Sequence, residues 1–239
     1  MKTRWDDAAH KNARYYIATT AYETDAEFVT SGEYDVKKIL SGLPGFNPDT
    51  DSALEIGCGI GRLLRAMSPH FARLYGVDIS PEMIRLGRDW LREYPKIKLA
   101  ETTGNSLHIV EDNTIDFVFS YITFQHIPSR KLIAKYMREA FRVLKPGGCF
   151  RFQTFCARSL SEVVKNRMRI LLNRKSDLFA GWSWRISSLR NTVEACGFQG
   201  VEIRDKVDYE AKAPYGVGQP ERHIWCTGTK PRALAARCP

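Results

Sequence analysis

The sequence predicts an α/β fold: a doubly wound, seven-stranded, mostly parallel sheet with helices on both faces. A helical cap precedes it and a lid is inserted within it. Three observations predict this. Short apolar runs alternate with amphipathic stretches from Ala53 onward. Some runs, such as Ile115–Tyr121 (IDFVFSY), are apolar nearly throughout, as strands covered on both faces are. Glycine, Asp or Ser clusters follow four of the runs, where parallel sheets place their ligands.

The elements follow in order. Residues 1–40 read as amphipathic helices carrying Trp5, Tyr15, Tyr16, Tyr22, Phe28 and Tyr34 among charged residues. The Gly/Pro/Asp/Asn-rich stretch Ser41–Ser52 separates them from the core. The expected domains are a cap over 1–47, a core over 48–230 with an insertion at 156–186, and a tail over 231–239. Strands are expected at Ala53–Ile56, Arg73–Val77, Ile97–Glu101, Ile115–Tyr121, Cys149–Phe155, Phe198–Arg204 and Glu221–Thr227. Helices are expected at Ile60–Met67, from Ser80, over Arg130–Val143 and over Ser188–Cys196. Ser80 suits an N-cap and Pro81 the first helical position, while Gly197 stops a helix. Lys145-Pro146-Gly147-Gly148 reads as a turn.

Composition bounds the function. The chain has 239 residues, 44% hydrophobic and 26% charged, enough to bury a core without a metal or disulfide staple. No apolar run approaches the ~20 residues that cross a bilayer, and no secretory signal opens the chain. These features predict a cytoplasmic protein. The six scattered cysteines form no C-x-x-C pair and read as reduced, buried thiols. His223 and Cys226 share a segment, but two ligands make no zinc site, so no metal is expected. Charge is uneven: residues 1–128 carry net −4 and residues 129–239 net +13. The basic half suits an anionic substrate, nucleic acid or a membrane surface, or is simply a solvated face.

The central motif is Leu54-Glu55-Ile56-Gly57-Cys58-Gly59-Ile60-Gly61-Arg62. Glycines at alternate positions between a strand and a helix allow a tight turn and close approach to a ligand, and the helix start offers free N–H groups. Arg62 stands where the dinucleotide fingerprint has Gly or Ala, which argues against NAD or FAD. A phosphate loop ending in Gly-Lys-Ser/Thr is absent, which argues against ATP. Asp78, 21 residues after Gly57, ends the second strand, where a carboxylate can accept both ribose hydroxyls. Loop and acid together read as a nucleoside site.

Over roughly residues 50–228 the sequence resembles the class I S-adenosylmethionine-dependent methyltransferases, small-molecule type, with a Rossmann-like fold. LEIGCGIGRLL, YGVDISPEMI, IDFVFSYITFQHIP, FRVLKPGGCFRFQTF and CGFQGVEIRD carry the resemblance. It implies S-adenosyl-L-methionine as cofactor and S-adenosyl-L-homocysteine as product. It implies that Gly57, Gly59 and Gly61 form the loop at the methionine end, with Glu55 orienting the ammonium. Asp78 would hold the ribose, and Ile79 and Met83 would pack on adenine. Asn105 and Ser106 stand where the family usually has an acid that reads the adenine amino group. Ser120 and Tyr121 would flank the ammonium.

A sulfonium methyl donor is already activated, so the protein mainly aligns the acceptor and excludes water. A base is needed only for a protonated acceptor. His126, past the fourth strand, is the candidate; a structural histidine is its alternative. Trp5, Tyr15, Tyr16, Trp182 and Trp184, with His126, are the candidate acceptor-binding residues; ordinary core packing is the alternative for each aromatic. In the insertion, Phe179, Trp182 and Trp184 lie among Arg158, Arg167, Arg169, Arg174, Lys175 and Arg185. Asp116 begins its strand and reads as a structural acid.

The expected activity is methyl transfer to an O, N or S atom of a small-molecule acceptor, by a monomer or homodimer with no membrane partner. An RNA methyltransferase and a non-catalytic S-adenosylmethionine-binding protein are the alternatives. SYIT at the fourth strand lacks the motifs of nucleic-acid enzymes, which argues against RNA.

Overall fold

A computed structural model describes residues 2–18, 24–172, 181–205 and 223–232. The N-terminal α1 (Lys2–Ala18) is two helical pieces joined at Asn12, which has φ −169° and ψ 88°. The Asn12 Oδ1 accepts the Tyr15 N–H at 3.0 Å and so caps the second piece. Next, α2 (Asp25–Leu40) opens with a capping box. Thr24 accepts the Glu27 N–H while Glu27 reaches back to the Thr24 N–H.

The alternating core follows: β1 (Ser52–Ile56), α3 (Arg62–Met67), β2 (Arg73–Asp78), α4 (Pro81–Trp90), β3 (Ile97–Glu101), β4 (Ile115–Ser120), α5 (Arg130–Val143) and β5 (Leu144–Cys156). It continues through α6 (Leu160–Leu172), β6 (Ser183–Trp184), α7 (Ile186–Glu194), β7 (Gln199–Arg204) and β8 (His223–Thr229). The sheet order is β3-β2-β1-β4-β5-β8-β7, with β6 added beside the end of β5. Pairings β3-β2-β1-β4-β5 are parallel and β8 is antiparallel to both neighbours. The order reverses at β1 and β4, and that switch point lies beside the glycine loop.

Helices cover both faces. On one, Leu54, Ile56, Val118, Phe150 and Phe152 pack with Met137, Ala140 and Leu189. On the other, Ala53, Phe117, Phe119 and Trp225 pack with Val36, Ile39, Leu64 and Met67. Both faces being covered explains why β1 is buried at every residue. The stretch after α2 is drawn into this second face. Phe46 lies 4.8 Å from Phe71 and 5.1 Å from Phe117, and Arg151 donates to the Ile39 and Ser41 carbonyls.

Several expected boundaries move. The first core helix starts at Arg62, because Cys58–Gly61 closes a turn first, Gly61 N–H donating to the Cys58 carbonyl. The expected turn at 145–148 lies inside β5 as an irregularity: Ile115 pairs with Leu144, and the next pair is Phe117 with Cys149. Lys145 bridges both oxygens of Asp116 at 2.8 Å there, and Asp116 also accepts from Ser52, so Asp116 is structural. The helix expected from Ser188 begins at Ile186. The two-residue β6 was not expected; it is too short to carry a periodic pattern.

Candidate functional site

The loop after β1 is shaped by its glycines. Gly57 and Gly59 have φ of 80° and 52°, the left-handed region. A Cβ on Gly57 would lie 2.3 Å from the Thr123 side chain, and one on Gly59 would lie 2.7 Å from Ile17. The loop is thus gripped from β4's exit on one side and from α1 on the other. The Gly57 and Cys58 N–H groups donate to the Val77 carbonyl, which ties the loop to β2.

Asp78 completes the tie. Its Oδ2 accepts the Gly59 N–H at 2.9 Å and its Oδ1 accepts the Ser80 N–H at 2.9 Å. Burial pushes its pKa up, opposed by these backbone donors. Ser80 then caps α4 through the Met83 N–H.

These elements surround a cavity with about 890 Å³ of empty space, its open mouth included. Glu55, Gly57, Gly59, Asp78, Ile79, Met83, Tyr121, His126, Trp5 and Tyr16 of the expected residues line it. Glu55 is 2% exposed, and its Oε2 has no hydrogen-bond partner. Burial pushes its pKa well up; Arg62 pulls it down and Asp78 adds to the rise. A buried acceptor left open at the floor of a cavity is the partner a ligand cation would need.

Arg62 is itself engaged elsewhere. It donates to Asp35 Oδ2 at 2.7 Å and to Ser31 Oγ at 3.0 Å, and Tyr121 donates to Asp35 Oδ1 at 3.0 Å. This network fastens α2 to the start of α3. Across the cavity, the rings of His126 and Trp5 meet edge to face at 5.3 Å.

Other expected residues lie elsewhere. Gly61 faces Leu91 and serves helix packing. Ser120 donates its hydroxyl to the Ile56 carbonyl. Asn105 is turned to Thr103, and Ser106 sits against Glu139. Tyr15 is 43% exposed and packs on Tyr16 outside the cavity lining. Trp184 is buried at 1% in the core, and Trp182 stands edge-on to it. Phe179, Arg174 and Lys175 lie outside the described residues.

Sequence reasoning missed Ile17, Thr102, Ile122, Thr123 and Tyr136, all in the lining. Ile17 and Tyr136 come from helices distant in sequence, and no local pattern marks them. Ile122 adopts φ 54°, rare for a β-branched residue, at the turn out of β4.

Residues 54–152 match the family described as "Methyltransferase domain". Those residues form a methyltransferase domain of the S-adenosylmethionine-dependent, class I Rossmann-like type. The family's cofactor is S-adenosylmethionine. The chain is 32% identical to phosphoethanolamine N-methyltransferase 2 of Caenorhabditis elegans over 124 residues, covering 51% of this chain and 28% of the relative. It is 30% identical to a chloroplastic tocopherol O-methyltransferase of Arabidopsis thaliana, covering 65% of this chain and 40% of the relative. The chain therefore spans well under half the length of these relatives. Among solved structures, the Haloferax volcanii methyltransferase in complex with the Trm112 activator superposes with TM-score 0.66 at 19% identity, covering 95% of this chain and 98% of that one. Phosphoethanolamine N-methyltransferase 2 of Haemonchus contortus, solved with phosphomonomethylethanolamine and S-adenosylhomocysteine, gives TM-score 0.59 at 18% identity, covering 92% and 61%. At these identities the structures establish the fold. No helix among the described residues is long and apolar enough to cross a membrane.

The cavity fits the family's cofactor. The open Glu55 carboxylate suits an ammonium, the Asp78 carboxylate suits a diol, and the glycine loop leaves room for close approach.

Proposed function

We propose that this chain transfers the methyl group of S-adenosylmethionine to an O, N or S atom of a small-molecule acceptor by in-line displacement. The observation that carries the proposal is the buried Glu55 Oε2, unpartnered in the same cavity as Asp78 and the glycine loop. When bound, the cofactor supplies an electrophilic methyl on a sulfonium.

The chain's own residues then bind, orient and exclude. Glu55 holds the ammonium, and its charge is restored there by the ligand cation. Asp78 holds the ribose, and Ile79 and Met83 flank the adenine. Tyr121 and Thr123 wall the methionine end. Trp5, Tyr16 and His126 close the acceptor side, and α1 over the loop excludes water. His126 takes the proton of an acceptor that arrives protonated. The relatives' names, phosphoethanolamine and tocopherol, support small acceptors. The five described cysteines are all unpaired, which supports a reducing, cytoplasmic setting.

Calorimetric titration with S-adenosylmethionine, S-adenosylhomocysteine and NAD tests the site. Binding of the first two and not the third is expected. Turnover to S-adenosylhomocysteine with pooled small metabolites then tests the reaction. No binding of either sulfur nucleoside overturns the cofactor assignment. Binding without turnover on any pool, with turnover on RNA, overturns the acceptor class.

A further inference from the structure

One helix wears its apolar face outward. On α6, Leu160, Val164, Met168, Leu171 and Leu172 are 49–76% exposed. They recur at the spacing of a single helix face. A helix of a globular protein normally turns such a stripe to the core.

The outward turn is pinned by hydrogen bonds from the opposite side. Asn166 donates Nδ2 to the Gly181 carbonyl at 3.0 Å, and its Oδ1 accepts the Ser183 N–H at 3.1 Å. The guanidinium of Arg167 lies over the Trp182 ring at 5.5 Å. The polar Asn166 therefore faces the protein, and the leucines face away. A rotation of α6 that buried the stripe would break both Asn166 bonds.

Charge identifies what the stripe meets. Residues 158–172 contain Arg158, Lys165, Arg167 and Arg169 against the single acid Glu162. Lys165 and Arg167 are both exposed, one on each side of the apolar stripe. We propose that this face of α6 docks onto an anionic lipid surface. The leucines enter the boundary between headgroups and acyl chains, and the basic flanks meet lipid phosphates. At 13 residues the helix is about 20 Å long, too short to span a bilayer and suited to lie in its plane. Docking with a second copy would set one cationic segment against another, and a neutral bilayer would leave the cations without counter-charge. The surface adjoins the cavity: Trp182 N–H donates to the carbonyl of Ile127, which lines it. The proposal does not depend on the methyl-transfer reading.

Flotation of the intact chain with vesicles tests it. Vesicles of phosphatidylcholine containing phosphatidylglycerol should carry the protein; vesicles of phosphatidylcholine alone should not, and high salt should release it. Val164→Glu with Leu171→Glu should abolish flotation while leaving the melting transition unchanged, because both side chains are more than half exposed. Lys165→Glu should weaken partitioning by roughly fivefold or more. No flotation with either vesicle overturns the proposal, as does equal flotation with both. A dimer in sedimentation velocity that the Val164→Glu, Leu171→Glu variant dissolves assigns the face to a second copy and overturns it too.

Discussion

Asp78 holds Gly59: the carboxylate Oδ2 accepts the glycine N–H at 2.9 Å, so the residue assigned to the ribose also fixes the loop that approaches the cofactor. Its other oxygen is used by Ser80, at the start of α4. Site and scaffold share one side chain. Replacing it by alanine would disturb both at once, and the informative substitution keeps the shape.

Asp78→Asn retains one carbonyl oxygen and removes the charge. Hydrogen bonds to a charged group contribute ~1.5–3 kcal/mol each. The substitution should weaken S-adenosylmethionine binding by at least about tenfold, read by calorimetry. An unchanged dissociation constant would remove Asp78 from the site.

Glu55 predicts opposite effects on stability and binding. Its pKa is raised by burial, so in the cofactor-free protein the folded state binds its proton more tightly than the unfolded state does. That contribution is fully present at pH below the ordinary carboxylate value and is lost as pH rises through the raised value. Near neutral pH, Glu55→Gln should therefore raise the melting temperature of the free protein by ~2–4 °C, for about 1 kcal/mol. It should also weaken cofactor binding. In the wild type, an ammonium beside the carboxylate lowers its pKa, so binding releases a proton and weakens as pH falls. Calorimetry in two buffers of different ionisation enthalpy measures that release. No buffer dependence would show that Glu55 does not meet the ammonium.

Asp6 fastens α1 to α4. Its Oδ1 accepts the Ser80 hydroxyl at 2.8 Å and the Glu82 N–H at 3.0 Å. The Glu82 backbone donor first, and Ser80 next, hold its pKa below the ordinary value. The sign is the reverse of Glu55: this stabilisation is present above the ordinary carboxylate value and is lost as pH falls through the depressed one. Asp6→Ala should cost about 1 kcal/mol, the value of a helix cap, and α1 should exchange its amide hydrogens faster. Unchanged protection of α1 would show that Lys2–Glu101 and Arg14–Asp25 suffice to hold it.

His126 tests the chemistry apart from binding. It lines the cavity at 8% exposure, edge-on to Trp5. With an acceptor that arrives protonated, His126→Ala should lower turnover by ~10²-fold or more and leave cofactor affinity within about twofold. Equal turnover would make His126 a wall residue.

Much of the fold was legible because its signals are local. Ser80 and Pro81 open α4 as their types demand. The apolar run at Ile115 becomes a buried central strand, and the glycines after β1 take the left-handed backbone that only glycine adopts readily. The placement of Asp78 beside that loop was legible as well, since a strand end and a glycine turn in adjacent parallel strands must meet at one edge.

Aromatic residues were read less well. Trp182 and Trp184 were expected over an acceptor, yet Trp184 is core and takes a cation contact from Arg130. A tryptophan's sequence neighbours do not say which side of a chain it will leave; packing across the sheet does. The same holds for the Arg62–Asp35 pair, and for Ile17 over Gly59 and Thr123 over Gly57. Periodicity, caps and turns are properties of a few consecutive residues, so the chain's order of strands, helices and glycine loop could be read along it. Which side chains line the cavity depends on elements that meet only after the sheet has closed, and that was settled by three-dimensional packing.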